Sequence, residues 1–384
     1  LRRKAVENVL SSLLLICGSL EPGKDGVGDY SRRLAAELQR RGQRVYMVSL
    51  ADKTVLEVVT GSQVEQGQRI GVTRIPESLA DENRIKLLAA LLTKIQPSLV
   101  SLQFVPFSFH PKGLPFCLFY LLSKTLKPYS CHVMFHELWV GMEIGATVKM
   151  KLWGRVQRLL IGGFIKRLQP GLIHSHSTLY LQQLELLGFH AKRLPLFGNI
   201  PVCPDNKRNS DEPKLTFVLF GMIHYGAPVY DFTAELHNLQ AEFEKKIRLV
   251  FVGKCGSELS KWQKVATEAG LVIEIFGEQS PERVSRILST ANMGISTTPL
   301  WLSEKSGTVA AMREHGLPVL CVARDWKPSG DFEFVLPAGL YNYEKGELVQ
   351  SLQAIENGSV GCTTVKSVAD VFISDVLNYY HGNS

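Results

Sequence analysis

At 384 residues the chain exceeds what one hydrophobic core usually serves, and a 45% hydrophobic, 21% charged composition is that of globular protein, with no apolar run long enough to span a membrane. Its net charge of +7 is uneven: residues 1–200 carry 26 Lys and Arg against 14 Asp and Glu, or +12, and residues 201–384 carry 17 against 22, or −5. Such a field attracts an anionic partner, whether a membrane surface, an acidic lipid-linked acceptor or nucleic acid, or it serves solubility alone. Seven scattered cysteines without a CxxC pair argue against a zinc site and a disulfide framework, and point to a reducing, cytoplasmic compartment. Arg2, Arg3 and Lys4 before an apolar stretch ending at Cys17 also fit a secretory or lipoprotein leader, but cleavage there would remove the first expected strand.

In chain order, short β-rich apolar runs alternate with longer amphipathic stretches, the pattern of a parallel sheet covered by helices. The front half predicts strands at Val9 to Cys17, Arg44 to Leu50, Leu99 to Phe104, His132 to Phe135 and Gly171 to Ser175. A helix is expected from about Asp29 to Arg41, stopped by Gly42. Lys149, Lys151, Arg155, Arg158, Lys166 and Arg167 are interleaved with apolar residues as in a basic amphipathic helix at a membrane interface, or in a domain helix on its own sheet, with Gly162-Gly163 expected to interrupt it. After a polar linker at 201–213 the alternation resumes, with strands at Leu215 to Phe220, Ile247 to Val252, Val272 to Phe276, Met293 to Ser296 and Pro318 to Val322, and a terminal helix at Thr363 to Tyr380. The expected architecture is α/β, with domains at 1–200 and 214–362 and a C-terminal helix in 363–384.

Gly23-Lys24-Asp25-Gly26-Val27-Gly28 lies between the first strand and first helix, where glycines permit close backbone approach and a helix N-terminus offers N–H groups to an anion. The spacing is GxxGxG rather than GxGxxG, and no acid closes the second strand before Ala51, which weakens a nicotinamide reading.

From Gly26 the run Gly-Val-Gly-Asp-Tyr-Ser-Arg-Arg-Leu-Ala resembles the opening of the retaining glycosyltransferases of family 4. Further similarity follows in order at Leu102 to Pro106, Phe135 to Trp139, Ser175 to Ser177 with Tyr180, Pro195 to Pro201, Ser303 to Gly307 and His315 to Val319. The resemblance implies the GT-B fold, two facing Rossmann-like domains with an interdomain cleft. It implies transfer from a nucleoside diphosphate sugar, as donor substrate rather than cofactor, to a glycan or lipid-linked acceptor, the front domain taking the acceptor and the back domain the donor.

On that resemblance His136 matches the histidine that contacts the transferred sugar, and Glu304 the first acid of a paired-glutamate motif; each could instead be structural. Ser306, Gly307 and Thr308 are candidates for the donor's diphosphate, Gly26 and Gly28 for an anion, Lys254 and Lys305 for substitute cations or for surface lysines, and Gly277 and Glu278 for the corner beside the base. No DxD triplet occurs, so a metal-independent route is expected and no metal ligands are assigned. The sequence departs from the pattern twice. The second acid of the motif falls on Ala311 or Met312, and Phe220 to Gly226 lacks the usual Arg and Lys. These gaps also fit a non-catalytic GT-B binding protein, and the fold is shared by nucleotide-sugar epimerases.

Overall fold

The computed structural model describes residues 11–203, 214–356 and 360–382. Val9, Leu10, the basic residues before them and most of the expected linker lie outside it. The described chain forms two compact units.

The first unit is an eight-stranded sheet in the order β3-β4-β2-β1-β5-β6-β7-β8. Its strands are β1 Ser12–Cys17, β2 Arg44–Asp52, β3 Val59–Glu65, β4 Gln68–Pro76, β5 Leu99–Phe104, β6 Cys131–Phe135, β7 Leu172–Ser175 and β8 Lys192–Arg193. All pairs are parallel except β3 with β4. β1, β5 and β6 are buried along their whole length, as strands covered on both faces must be, which is why they read as unbroken apolar runs. The β3–β4 hairpin was invisible to the apolar pattern because β3 (VTGSQVE) is almost wholly exposed.

Helices α1 Gly26–Arg40, α2 Asp81–Ile95, α3 Pro106–Phe109, α4 Phe116–Leu126, α5 Val148–Leu168 and α6 Thr178–Glu185 join these strands. α1 starts three residues before the expected Asp29: Asp25 adopts extended geometry as its N-cap and accepts from the Gly28 N–H at 2.7 Å, which draws the glycines into the first turn. α5 continues through Gly162-Gly163, where an interruption was expected. The flanking Ile161, Phe164 and Ile165 are buried against the unit, and that packing outweighs the low helix propensity of two glycines.

The second unit is a six-stranded, all-parallel sheet in the order β11-β10-β9-β12-β13-β14. Its strands are β9 Lys214–Phe220, β10 Lys246–Val252, β11 Val272–Gly277, β12 Met293–Ser296, β13 Val319–Cys321 and β14 Leu340–Asn342. Its helices are α7 Val229–Phe243, α8 Leu259–Glu268, α9 Pro281–Thr290, α10 Gly307–Glu314 and α11 Leu348–Glu356, with a 3-10 turn at Leu300–Lys305. Strand alternation divides the core: Phe217, Leu219, Leu249 and Phe251 pack with Phe232 and Trp262, whereas Val218, Val250 and Val252 pack with Val284, Leu288 and Met312. The last helix, α12 Val365–Gly382, packs on α1 and β7 and belongs with the first unit.

Candidate functional site

In the first unit the chain leaves β1 at Cys17 and passes through a tightly built loop before α1. A Cβ on Gly28 would lie 2.4 Å from the Ser19 carbonyl oxygen, so only glycine allows that approach. The loop is held by Leu20, whose N–H donates to Asp52 Oδ2 at 3.1 Å and whose carbonyl accepts from Gln63 Nε2 at 2.8 Å. The N–H groups offered to an anion are partly taken: Gly28 by Asp25, and Gly23 by Asp29 Oδ1 at 3.0 Å. Two carboxylates of the protein therefore stand at this helix start.

β2 runs to Asp52, so the second strand does close on an acid, two residues beyond the expected boundary at Leu50. That carboxylate is committed to the fold. Burial opposes its charge, but Arg74 at 2.8 Å, Thr54 and the Leu20 N–H hold it well below the usual carboxylate range.

His136 sits one residue past β6, its N–H bonded to the Phe104 carbonyl at 3.0 Å. Both of its ring nitrogens have protein partners: Nε2 faces Gln103 Oε1 and Nδ1 faces His176 Nε2, each at 2.9 Å. Tyr30 of α1 packs edge-on against both rings, with centroids 4.9 and 5.3 Å away. Burial, then the neighbouring His176 and His132, push His136 well below an ordinary histidine, and burial brings His176 down to about 3. Gln103 and His176 lie within the similar segments but drew no role from the sequence, because neither residue type by itself signals that it holds a histidine.

Elsewhere in this unit Trp139, Gly141, Lys151, Arg155, Arg158 and Gln183 line a cavity of about 330 Å³. Arg158 stacks over the Trp139 ring at 5.7 Å, and its Nε is buried without a hydrogen-bond partner. Among the described residues no carboxylate pairs with any of the three cations. The apolar residues of α5 divide: Ile161, Phe164 and Ile165 face the core, whereas Val148, Leu152 and Leu159 are at least 60% exposed.

In the second unit three neighbouring strands, β11, β10 and β9, are each closed by a glycine with left-handed backbone: Gly277 (φ +63°), Gly253 (φ +89°) and Gly221 (φ +85°). The Gly253 N–H bonds Gly277 O at 2.7 Å and the Gly221 N–H bonds Val252 O at 2.9 Å, which makes a shelf of three glycines at the carboxyl edge of the sheet, with the Thr308 methyl over Gly221. Lys254 and Glu278 follow on adjacent strands and pair with each other at 3.3 Å on the surface.

α10 begins beside that shelf. Ser306 is its N-cap, and its Oγ accepts from the Val309 N–H at 3.4 Å and meets Thr308 Oγ1 at 3.1 Å. Glu304 and Lys305 end the preceding 3-10 turn, and Glu304 through Thr308 are all partly exposed. His224, in the loop lacking the expected cations, is lowered by partial burial and then by Lys305, which brings these two segments together.

Ala311 and Met312, where the second acid was sought, are fully buried. Met312 fills the space a side chain on Gly294 would need, with its Sδ 2.5 Å from that Cβ position. Glu314 instead accepts from the Gly198 N–H at 3.0 Å. The corner at Phe276 borders a cavity of about 530 Å³, with Arg283 over the Phe276 ring at 5.3 Å. A further cavity of about 330 Å³, which no sequence signal marked, is lined by Trp301, Arg324, Trp326, Lys327 and Tyr343 past the ends of β13 and β14.

Among the described residues no helix is long and apolar enough to cross a membrane. No family model matches the sequence, and no curated protein matches it. Solved structures do match the fold. A lipopolysaccharide outer core galactosyltransferase, WaaB, in apo form is 14% identical with a TM-score of 0.55, covering 97% of this chain and all of its own. The catalytic domain of starch synthase IV from Arabidopsis thaliana, bound to ADP and acarbose, is 11% identical with a TM-score of 0.56, covering 97% and 99%. A structure titled as a UDP-N-acetylglucosamine 2-epimerase from Listeria monocytogenes is 9% identical with a TM-score of 0.58, covering 97% of each chain. At these identities the likeness is one of fold: the chain has the GT-B fold, built from two Rossmann-like α/β units.

Proposed function

We propose that the chain is a retaining glycosyltransferase of the family 4 kind, moving a sugar from a nucleoside diphosphate sugar to a glycan or lipid-linked acceptor without a metal. The observation that carries this reading is the glycine shelf at Gly221, Gly253 and Gly277 beside the start of α10. Strand ends without side chains next to a helix N-terminus suit a diphosphate, which needs close backbone approach and N–H donors. Glu304 is the acid on the donor sugar, and Lys305 and Lys254 supply positive charge toward the leaving diphosphate. The solved proteins of this fold that act on sugars, one of them with ADP bound, support the class of donor.

The acceptor belongs to the first unit, where Lys151, Arg155 and Arg158 against Trp139 suit a phosphate or carboxylate carried on a sugar. The exposed apolar residues of α5 fit a peripheral site on the cytoplasmic face of an anionic membrane.

The test is thermal denaturation with UDP-, GDP-, ADP- and dTDP-sugars, since a ligand bound only by the folded state raises the melting temperature. Product analysis with and without acceptor then follows. The proposal expects one nucleotide class to stabilise the protein and product to require acceptor. Interconversion of the donor alone would make it an epimerase. Absence of stabilisation by any of them would favour the non-catalytic reading, to which the burial of Ala311 and Met312 lends weight.

A further inference from the structure

Four histidines of the first unit, His132, His136, His174 and His176, belong to one continuous polar chain through an apolar sheet. Starting at the Leu194 carbonyl, it runs to His176 Nδ1 (2.8 Å), from His176 Nε2 to His136 Nδ1 (2.9 Å) and from His136 Nε2 to Gln103 Oε1 (2.9 Å). It continues from Gln103 Nε2 to Ser101 Oγ (2.7 Å) and from Ser101 Oγ to His132 Nδ1 (2.8 Å). His132 Nε2 then meets His174 Nδ1 (3.0 Å), and His174 Nε2 meets Asp375 Oδ2 of α12 (3.0 Å). Lys192 Nζ holds the other Asp375 oxygen at 2.7 Å. None of the six inner residues is more than 7% exposed, so the chain depends on its own members for hydrogen bonds.

Both ends of this chain are acceptors, a carbonyl and a carboxylate. A neutral imidazole carries one N–H, a serine one O–H, and Gln103 donates on one side while accepting on the other. Four rings, one hydroxyl and one amide thus supply six donors for seven links. With all rings neutral, one link is left without a proton.

The place of that shortage follows from the two ends. The Leu194 carbonyl requires the Nδ1–H of His176, whose Nε2 must then accept from His136. The Asp375 carboxylate makes the stronger, charge-assisted demand on His174 Nε2–H. That demand passes through His132 Nε2–H and the Ser101 hydroxyl to the Gln103 amide, whose oxygen is left facing His136. Each nitrogen of His136 therefore faces an acceptor.

We infer that the missing proton of this relay lies between His136 Nε2 and Gln103 Oε1, and that Asp375, five links away, is the positioning residue that fixes the tautomer of each ring between. The groups facing His136 are His176 past β7, Tyr30 edge-on from α1 and Gln103 of β5; Arg193 acts on His176, and Lys192 neutralises Asp375 at the far end. Burial keeps the resting ring neutral, but its protonated form needs no rearrangement of partners. On the sugar-transfer reading the open lone pair of His136 lies at the carboxyl end of β6; the relay itself rests on the hydrogen bonds alone.

The experiment is two-bond ¹H–¹⁵N spectroscopy of imidazole-labelled full-length protein, in wild type and Asp375→Asn. In the wild type His176 and His136 should be the Nδ1–H tautomer, and His132 and His174 the Nε2–H tautomer. An asparagine donates where the carboxylate could not, supplying a seventh donor and reversing the chain. The variant should therefore show all four rings as Nδ1–H, with loss of the Nε2–H signals of His132 and His174. Nδ1–H at His132 or His174 in the wild type, or Nε2–H at His136, would overturn the inference. If the variant does not fold, the wild-type tautomers decide. No nucleotide is needed, so the relay and the sugar-transfer reading fail separately.

Discussion

Thr308 occupies the space that a side chain on Gly221 would need: a Cβ there would stand 2.7 Å from Thr308 Cγ2, and Gly221 holds a φ of +85°. The end of β9 and the first turn of α10 are thereby fitted to each other through the Thr308 methyl group. Gly221→Ala should lower the stability of the second unit, the left-handed backbone alone costing roughly 1–2 kcal/mol, and should weaken nucleotide binding. Adding Thr308→Ser removes the obstructing methyl and should recover the steric part only. Denaturant midpoints and nucleotide titrations of the single and double variants measure this; an alanine variant as stable as wild type would contradict the fit.

Glu304→Gln should leave the fold intact and lower turnover by at least about tenfold, the loss of one charge-assisted hydrogen bond in the transition state. Steady-state kinetics on the folded variant decides it, and an unchanged rate removes Glu304 from the reaction.

Turnover should survive a chelator, because the sequence offers no DxD carboxylate pair to hold a divalent ion against the diphosphate. Loss of activity in EDTA that manganese or magnesium restores would contradict this.

Replacing Lys151, Arg155 and Arg158 together by glutamine should raise KM for an acceptor bearing phosphate or carboxylate, and leave the nucleotide's thermal shift unchanged. Wild-type acceptor affinity should also fall as salt rises toward the range where the Debye length is about 8 Å. An equal loss for a neutral acceptor would assign the three residues to the fold rather than to an anion.

The first unit should lose stability on acidification. Burial lowers His132, His136, His174 and His176, the last to about 3, whereas in the unfolded chain each titrates near an ordinary histidine. Between those limits the unfolded state binds more protons, so stability is fully present above about pH 6.5 and falls as pH drops toward the folded values, by roughly 1.4 kcal/mol per pH unit for each ring. Amide exchange on β1 and β5, read against β9 and β10 as an internal reference, measures it. A flat profile in β1 and β5 would show that these rings are charged in the folded state.

The sequence by itself determined the alternation of strands and helices in both units, because strands buried on both faces leave unbroken apolar runs such as Leu13 to Ile16 and Phe217 to Leu219. The resemblance to the family 4 glycosyltransferases, rather than any local pattern, singled out His136 and the stretch from Glu304 to Thr308. The sequence could not register the β3–β4 hairpin, whose outer strand buries almost nothing, nor the reach of β2 to Asp52 and the start of α1 at Gly26. The histidine relay was beyond it for a different reason. His132, His174 and Asp375 lie up to 243 positions apart in numbering and meet only because β6 and β7 are parallel neighbours and α12 returns to β7. Hydrogen bonds between such residues depend on strand register and helix return, quantities set by packing of the whole unit, and no local run of residues encodes them.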